Sequence, residues 1–258
     1  MPSRGIQPKQ PSAKARRIQR AKEPKLVEDT KRALFLSGRK TSDMVTRALK
    51  DLYLLKSPDA LMLTRKNDLN PFEDATSLEF LMGKNHDSSL FAFASHNKKR
   101  PNNLVLGRTF DSHMLDMIEL GIEGFQSIQE VKEGTPKRVG SKPALVFLGD
   151  RWQNEEVYQK LQNLLTDFLR GDVVSSLSLS GLDHALVFAL AEDRVLMRGY
   201  SVALRRATAG SGAAAAAGAA AGTPAAELTL MGPCMDWQVR RTSFAARDLW
   251  RAAAKQPK

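Results

Sequence analysis

The chain has 258 residues, 42% of them hydrophobic, so it can bury a core as one large domain or two small ones. Its one cysteine, Cys234, excludes an internal disulfide and a CxxC zinc site and makes a reducing compartment the default. Of the net charge of +11, residues 1–22 carry +7 and residues 240–258 carry +5, which leaves the stretch between them near neutral.

In chain order, residues 1–25 lack apolar periodicity and are expected to be disordered. Ala33-Leu34-Phe35-Leu36-Ser37-Gly38 is an apolar run ending at glycine, the pattern of a buried strand. A helix follows, with Ser42 as N-cap and Met44, Val45, Ala48, Leu49, Leu52 and Leu55 on one face. Leu90 to Ala94 reads as a strand, followed by a turn and a second strand holding Leu106-x-Arg108-x-Phe110. Residues 131–143, rich in Gly, Pro and Lys, read as a linker. Ala144-Leu145-Val146-Phe147-Leu148-Gly149 then opens a second segment. Its helix starts at Asn154, has Glu155 and Glu156 in the first turn, and ends at Gly171. Ala185 to Leu190 is again a strand, followed by Leu196-x-Arg198-x-Tyr200. Strand, helix and hairpin given twice predict an α/β fold of two halves related by duplication. The first half carries extra residues around Asn70-Pro71-Phe72-Glu73-Asp74. Residues 207–226, nearly all Ala, Gly, Ser and Thr, read as a flexible insert in a loop of the second half. The predicted domain spans 26–242, with halves at about 28–130 and 142–242 and a basic tail or helix at 243–258.

No catalytic constellation emerges. The four histidines show no H-E-x-x-H spacing, and there is no P-loop or GxGxxG. Cys234 has no neighbouring histidine and reads as a packed thiol. No run of eighteen apolar residues occurs and the N-terminus is polar and basic, which argues against a membrane span and against secretion. The reading is a protein that is not an enzyme and needs no cofactor or metal.

Charge is the chemistry that remains. Basic tails on a neutral body suit polyanions, because each Lys or Arg on a phosphate releases a counterion; solubility and nuclear import are the alternatives. Ser95-His96-Asn97-Lys98-Lys99-Arg100-Pro101 places three successive cations in a tight hairpin connection, suited to phosphate oxygens or to a solvated turn that blunts edge pairing. Arg108 and Arg198, at matching places in the two halves, are either pseudo-symmetric phosphate contacts or structural partners of carboxylates. The RNA-binding candidates are Lys98, Lys99, Arg100, Arg108, Lys137, Arg138, Lys142, Arg198, Arg16, Arg17, Arg240 and Arg241. Each half is expected to be a small open sheet. Its edges, such as Ala144 to Leu148 and Leu228 to Met231, are apolar and offer main-chain pairing to a partner strand.

Several words of the sequence carry a resemblance. They are Glu23-Pro24-Lys25-Leu26-Val27-Glu28, Ala48-Leu49-Lys50-Asp51-Leu52-Tyr53, Asn70-Pro71-Phe72-Glu73-Asp74 and Ser77-Leu78-Glu79-Phe80. They continue with Ser95 through Leu104, Asp116-Met117-Ile118-Glu119-Leu120-Gly121, Lys142-Pro143-Ala144-Leu145-Val146-Phe147 and Leu230-Met231-Gly232-Pro233. Over about residues 23–250 the chain resembles the Brix-domain family of ribosome assembly factors. The resemblance implies two halves, each like the anticodon-binding domain of class II aminoacyl-tRNA synthetases. It also implies work in the nucleolus with the regulator of ribosome synthesis protein. The pair would bring 5S rRNA and the ribosomal proteins that accompany it to the large-subunit (60S) precursor, contacting precursor rRNA and supporting its maturation. Two departures stand out: Cys234 replaces the arginine that usually follows Gly-Pro, and the alanine-rich insert interrupts the second half. The competing readings are a protein-only scaffold and an rRNA-processing factor of the same fold.

Overall fold

The computed structural model describes residues 12–22, 30–84, 88–206 and 224–255. Residues 30–255 make one unit, and the helix α1 (Ala13–Lys22) belongs to another. Within 1–25, where disorder was expected, α1 is a correction: Ala, Lys, Arg and Gln are strong helix formers, and Ser12 caps them by accepting from the Ala15 N–H at 3.2 Å.

The first half runs β1 (Ala33–Gly38), α2 (Asp43–Lys56), β2 (Ala60–Asn67), α3 (Thr76–Lys84), β3 (Leu90–Ser95), β4 (Asn103–Phe110) and β5 (His113–Gln126). The second runs β6 (Ala144–Leu148), a short α4 (Arg151–Asn154), α5 (Glu156–Leu169), β7 (His184–Ala191), β8 (Arg194–Arg206), β9 (Pro224–Phe244) and α6 (Arg247–Ala253). Ser42 caps α2, its Oγ accepting from the Val45 N–H at 3.2 Å. The duplication is visible in the strand order β2-β1-β3-β4-β5-β9-β8-β7-β6, which mirrors about the antiparallel β5–β9 pair with β2 as the unmatched addition.

That order corrects the expectation of two small open sheets. The halves fuse along β5 and β9, so the described sheet has two outer strands, β2 and β6. Ala144 to Leu148 is an edge, and Leu228 to Met231, although it lies in β9, pairs on one side alone, with Leu228 opposite Val202 and Leu230 opposite Tyr200 on β8, because the pairing with β5 begins at Cys234. The loop after β5 passes its other side at one point, where a Cβ on Gly134 would come within 2.5 Å of the Leu230 carbonyl oxygen. Most of the insert expected at 207–226 lies outside the described residues, and its last three residues, Pro224 to Ala226, are strand, in register with Leu204 to Arg206.

The main core lies on one face of the sheet, where α2 and α5 pack side by side: Phe35, Leu49, Leu52, Phe168, Phe188 and Trp237 are all within 2% of full burial. Among the described residues of this unit, the opposite face carries a helical layer in the first half. There α3 and the preceding segment bring Leu78, Met82 and Phe72 onto Leu34, Leu36, Phe91, Phe93 and Val105. The residues that looked like an interruption of the repeat are therefore the second layer of the first half. Among the described residues no such layer follows α5, and Val146 and Leu148, which alternate with the core-facing Leu145 and Phe147, stay 38% and 51% exposed.

Candidate nucleic-acid interface

The β3–β4 connection is held from several sides. The Asn97 side chain accepts from the Arg100 N–H at 2.7 Å and closes the turn that carries Lys98 and Lys99. Asn102 sits in the left-handed region at φ 47°, where a short amide side chain is tolerated. Its N–H donates to His96 Nδ1 at 3.1 Å, which makes Nδ1 the acceptor nitrogen of that ring. The Ser42 hydroxyl donates to Asn102 Oδ1 at 2.7 Å, and the His96 N–H donates to the Lys40 carbonyl at 2.8 Å. Arg240 reaches in from β9 and donates to the Pro101 carbonyl at 2.9 Å. Its path crosses Gly121, where any Cβ would lie 2.3 Å from the guanidinium, so the missing side chain makes the contact possible. The hairpin thus cannot swing independently of α2, β5 or β9.

The parallel order of β2, β1 and β3 brings more cations to the same end. Ser37 is opposite Lys66 on β2 and opposite Ala94 on β3, so the C-terminal ends of the three strands lie in line. Arg65 and Lys66 from β2, Arg39 and Lys40 after β1, and Lys98 and Lys99 after β3 are all exposed there. The acids nearby neutralise little of this charge: Arg39 meets Asp68 at 3.1 Å with both about 70% exposed, a pair of small worth in water. Arg100 and Arg241 share one fully buried carboxylate, Glu119, with Arg100 at 3.7 Å and Arg241 in closer contact and stacked 4.2 Å from the Phe72 ring. Lys98 and Lys99 are therefore the outward charges of the hairpin, and Arg100, Arg240 and Arg241 are partly its anchors. Arg39, Lys40, Arg65 and Lys66 were missed in the sequence, although each pair closes an apolar run. Only the strand order shows that those ends are neighbours.

The remaining candidates lie elsewhere. Lys137, Arg138 and Lys142 belong to the connection between the halves, beside a cavity of about 370 Å³ at the other end of α2. Lys137 donates to the Ser57 carbonyl at 3.4 Å, and burial pulls its amine down. Arg138 holds Asp183 at 3.2 Å, and Lys142 donates to the Asp172 carbonyl. Arg16 and Arg17 are exposed on α1.

Arg108 is buried. Its guanidinium grips Asp116 on β5 at 2.8 Å, contacts Asp167 on α5, donates to Asn163 at 2.7 Å and lies 5.0 Å from the Trp250 ring of α6. Burial pushes the Asp116 carboxyl up despite its partner. Asp167, also raised by burial, is held below the usual carboxylate range by Lys31 at 2.9 Å and by Arg108. This is a pin between the halves, with no guanidinium face turned to solvent phosphates.

Arg198 is not its counterpart. In β4 the core face carries Leu104, Leu106 and Arg108, whereas in β8 it carries Val195 and Met197, so Arg198 points to the opposite face. The L-x-R-x-aromatic match is slipped by one residue, which reverses every side chain of a strand. Arg198 pairs there with Asp236 at 2.7 Å and donates to the Met235 carbonyl at 3.1 Å. Opposite it in register is Cys234, a buried thiol that burial pushes up. Among the described residues no three metal-ligating side chains converge.

The mirrored α/β sheet gives the fold class, and the Brix domain model matches residues 38–241. The chain belongs to the Brix-domain family, among the ribosome production factor 2 homologues. It is 43% identical to the Ribosome production factor 2 homolog of Homo sapiens over 255 residues, 99% of this chain and 78% of that protein. The Drosophila melanogaster homolog is 42% identical over 248 residues, 95% of this chain and 72% of that one. The crystal structure of a probable ribosomal biogenesis protein from Aeropyrum pernix K1 aligns with a TM-score of 0.47 at 13% identity, over 81% of this chain and 96% of that one.

Proposed function

We propose that this protein is a non-catalytic factor of ribosome biogenesis that binds rRNA through the strand-end surface. In this reading it works in the nucleolus, delivers 5S rRNA with its ribosomal proteins to the large-subunit precursor, and supports rRNA maturation there. The observation that carries the RNA contact is the convergence of six exposed cations on a hairpin clamped by His96, Asn102 and Ser42. Rigid cations on neighbouring strand ends suit the repeating phosphates of a nucleic acid backbone. Changing Lys98, Lys99 and Arg100 together to alanine is expected to weaken binding to 5S rRNA. Each lost phosphate contact flattens the slope of log K against log salt by about 0.9 on a duplex and about 0.7 on a single strand. Arg100 also serves Glu119, so the expected loss is nearer two contacts than three. An unchanged slope at unchanged melting temperature overturns the assignment.

A second role, as a protein scaffold, has its own support in the second half. The outer strand β6 is apolar and one-sided, and the sheet face carrying Val146 and Leu148 lacks the α3 layer of the first half. A soluble partner that adds a strand or a layer there would bury both. The candidate implied by the family is the regulator of ribosome synthesis protein, and co-expression tests the pairing.

A further inference from the structure

An open apolar groove of about 500 Å³ runs between α5 and α6, on the sheet face opposite to Val146 and Leu148. It lies at the end of the sheet remote from the strand-end cations. Phe244, close before α6, pairs with Asp116, and Arg108 pairs with Leu90, the first residue of β3. Lys98 and Lys99 follow the last residue of that strand. Almost no polar atom faces the groove; its walls are Trp250, alanine methyls and the aliphatic stems of longer side chains. No residue of α6 is fully buried, so this short helix leaves its inner side incompletely covered. We propose that the groove seats a helix of a partner protein, apolar on one side and acidic on its flank. The contact is independent of the RNA-binding reading and of the β6 edge.

Polarity and shape select an apolar helix. Two helices side by side leave a channel into which a third lays residues at i, i+3, i+4 and i+7. A cavity of about 150 Å³ holds one benzene ring, so this groove takes roughly three large apolar side chains. A nucleobase is excluded by the same wall, because its polar edge would lose water and find no partner. A tryptophan amid arginines is also the composition of interface hot spots, with the charged groups at the rim.

Charge selects the acidic flank. Lys160, Arg247 and Arg251 line the groove, and no carboxylate does. Lys160 is engaged, meeting Glu156 at 2.7 Å and the Phe244 ring at 3.9 Å. Arg247 and Arg251 are exposed, one helical turn apart, and neither makes an ion pair among the described residues. Two acids four residues apart on the incoming helix would face both guanidinium groups. The chain's own α1 does not qualify, since it carries Lys14, Arg16, Arg17, Arg20 and Lys22 and no acid.

The test selects binders to the full chain from a phage-displayed library of helical peptides, with counter-selection on an Arg247→Glu, Arg251→Glu variant. Both arginines are exposed, so that variant should keep the melting temperature of the parent. Winners are expected to carry Leu, Ile or Phe at helical spacing and Asp or Glu four residues apart. They should change the tryptophan fluorescence of the parent and leave that of Trp250→Phe unaltered. The charge-reversed variant should bind them at least about twofold more weakly, the smaller effect expected of two exposed ion pairs. Peptides with Lys in place of each acid should regain affinity for that variant, a rescue that a distorted α6 would not give. Selection without winners, winners lacking acids, or affinity indifferent to charge reversal overturns the proposal. Displacement of the winners by a single-stranded RNA hexamer overturns it in favour of nucleic acid. Dimers that the parent forms and the reversed variant cannot form overturn it in favour of a second copy.

Discussion

Arg108 illustrates how a side chain that its type leaves between two roles is placed by geometry with its carboxylates. Replacing it with methionine would leave Asp116, fully buried, and Asp167 without their shared cation. Breaking one partner of a buried pair costs about 3–5 kcal/mol, so Arg108→Met should lower the denaturation midpoint strongly. Arg198→Met, across a half-exposed pair, should cost less than about 1 kcal/mol. Urea melts of the two variants check the contrast; equal losses would remove the distinction between pin and surface pair. Lys56, the last residue of α2, is 5% exposed, and burial lowers its amine to about 8 from its ordinary 10.5. Between those values the unfolded chain binds the extra proton, so stability gains as pH rises from about 8 to 10.5, by roughly 3 kcal/mol at most. Below about 8 the folded state carries a buried ammonium. Lys56→Met should therefore raise the melting temperature at pH 7 and abolish that rise; a flat profile in the parent chain would contradict the assignment.

At the scale of elements, the sequence marked strands, the Ser42 cap and the second helix well, because each is a local pattern of burial or capping. The α5 helix begins at Glu156, two residues after the expected start, since Arg151–Asn154 forms a separate turn bridged to Glu155. What stayed hidden was non-local: the fusion of β5 with β9, the role of α3 as a second layer, and the alignment of three strand ends that assembles the basic surface. Register was the subtlest loss, since an arginine two places after a leucine looks the same on either face. The insert tests the reverse case, a segment judged by composition. Deleting residues 209–222 shortens the link between Arg206 and Pro224, whose strands already pair. Loop closure changes by only about 0.6 kcal/mol per halving of length, so thermal unfolding should shift little. A fall of many degrees would show that the tract packs.

For the whole molecule the decisive feature is unequal cover. Among the described residues of this unit, the first half has helices on both faces of its strands and the second on one. Val146→Asp, on the open face of an outer strand, should leave the chain's own core intact and abolish co-purification of the regulator of ribosome synthesis protein. Size exclusion after co-expression reads the result. The chain alone is expected to aggregate, and a stable monomer with the melting temperature of the complex would refute the idea of an uncovered edge.

The mirrored order has a further consequence, for synthesis. β9 is the last strand of the described sheet in chain order, yet it lies at the centre, between β5 and β8. Until it arrives, the nascent chain holds two unjoined half-sheets, each with a raw inner margin that stays open until residues 224–244 have been made. Long-range pairing of this kind is slow and leaves strand margins vulnerable to wrong neighbours. Ribosome-bound chains halted before residue 224 should accordingly be cut readily by protease in β5 and β8, and protected once β9 has emerged. In this architecture the sheet is completed only once β9 has been made, and that strand acts as its closing key.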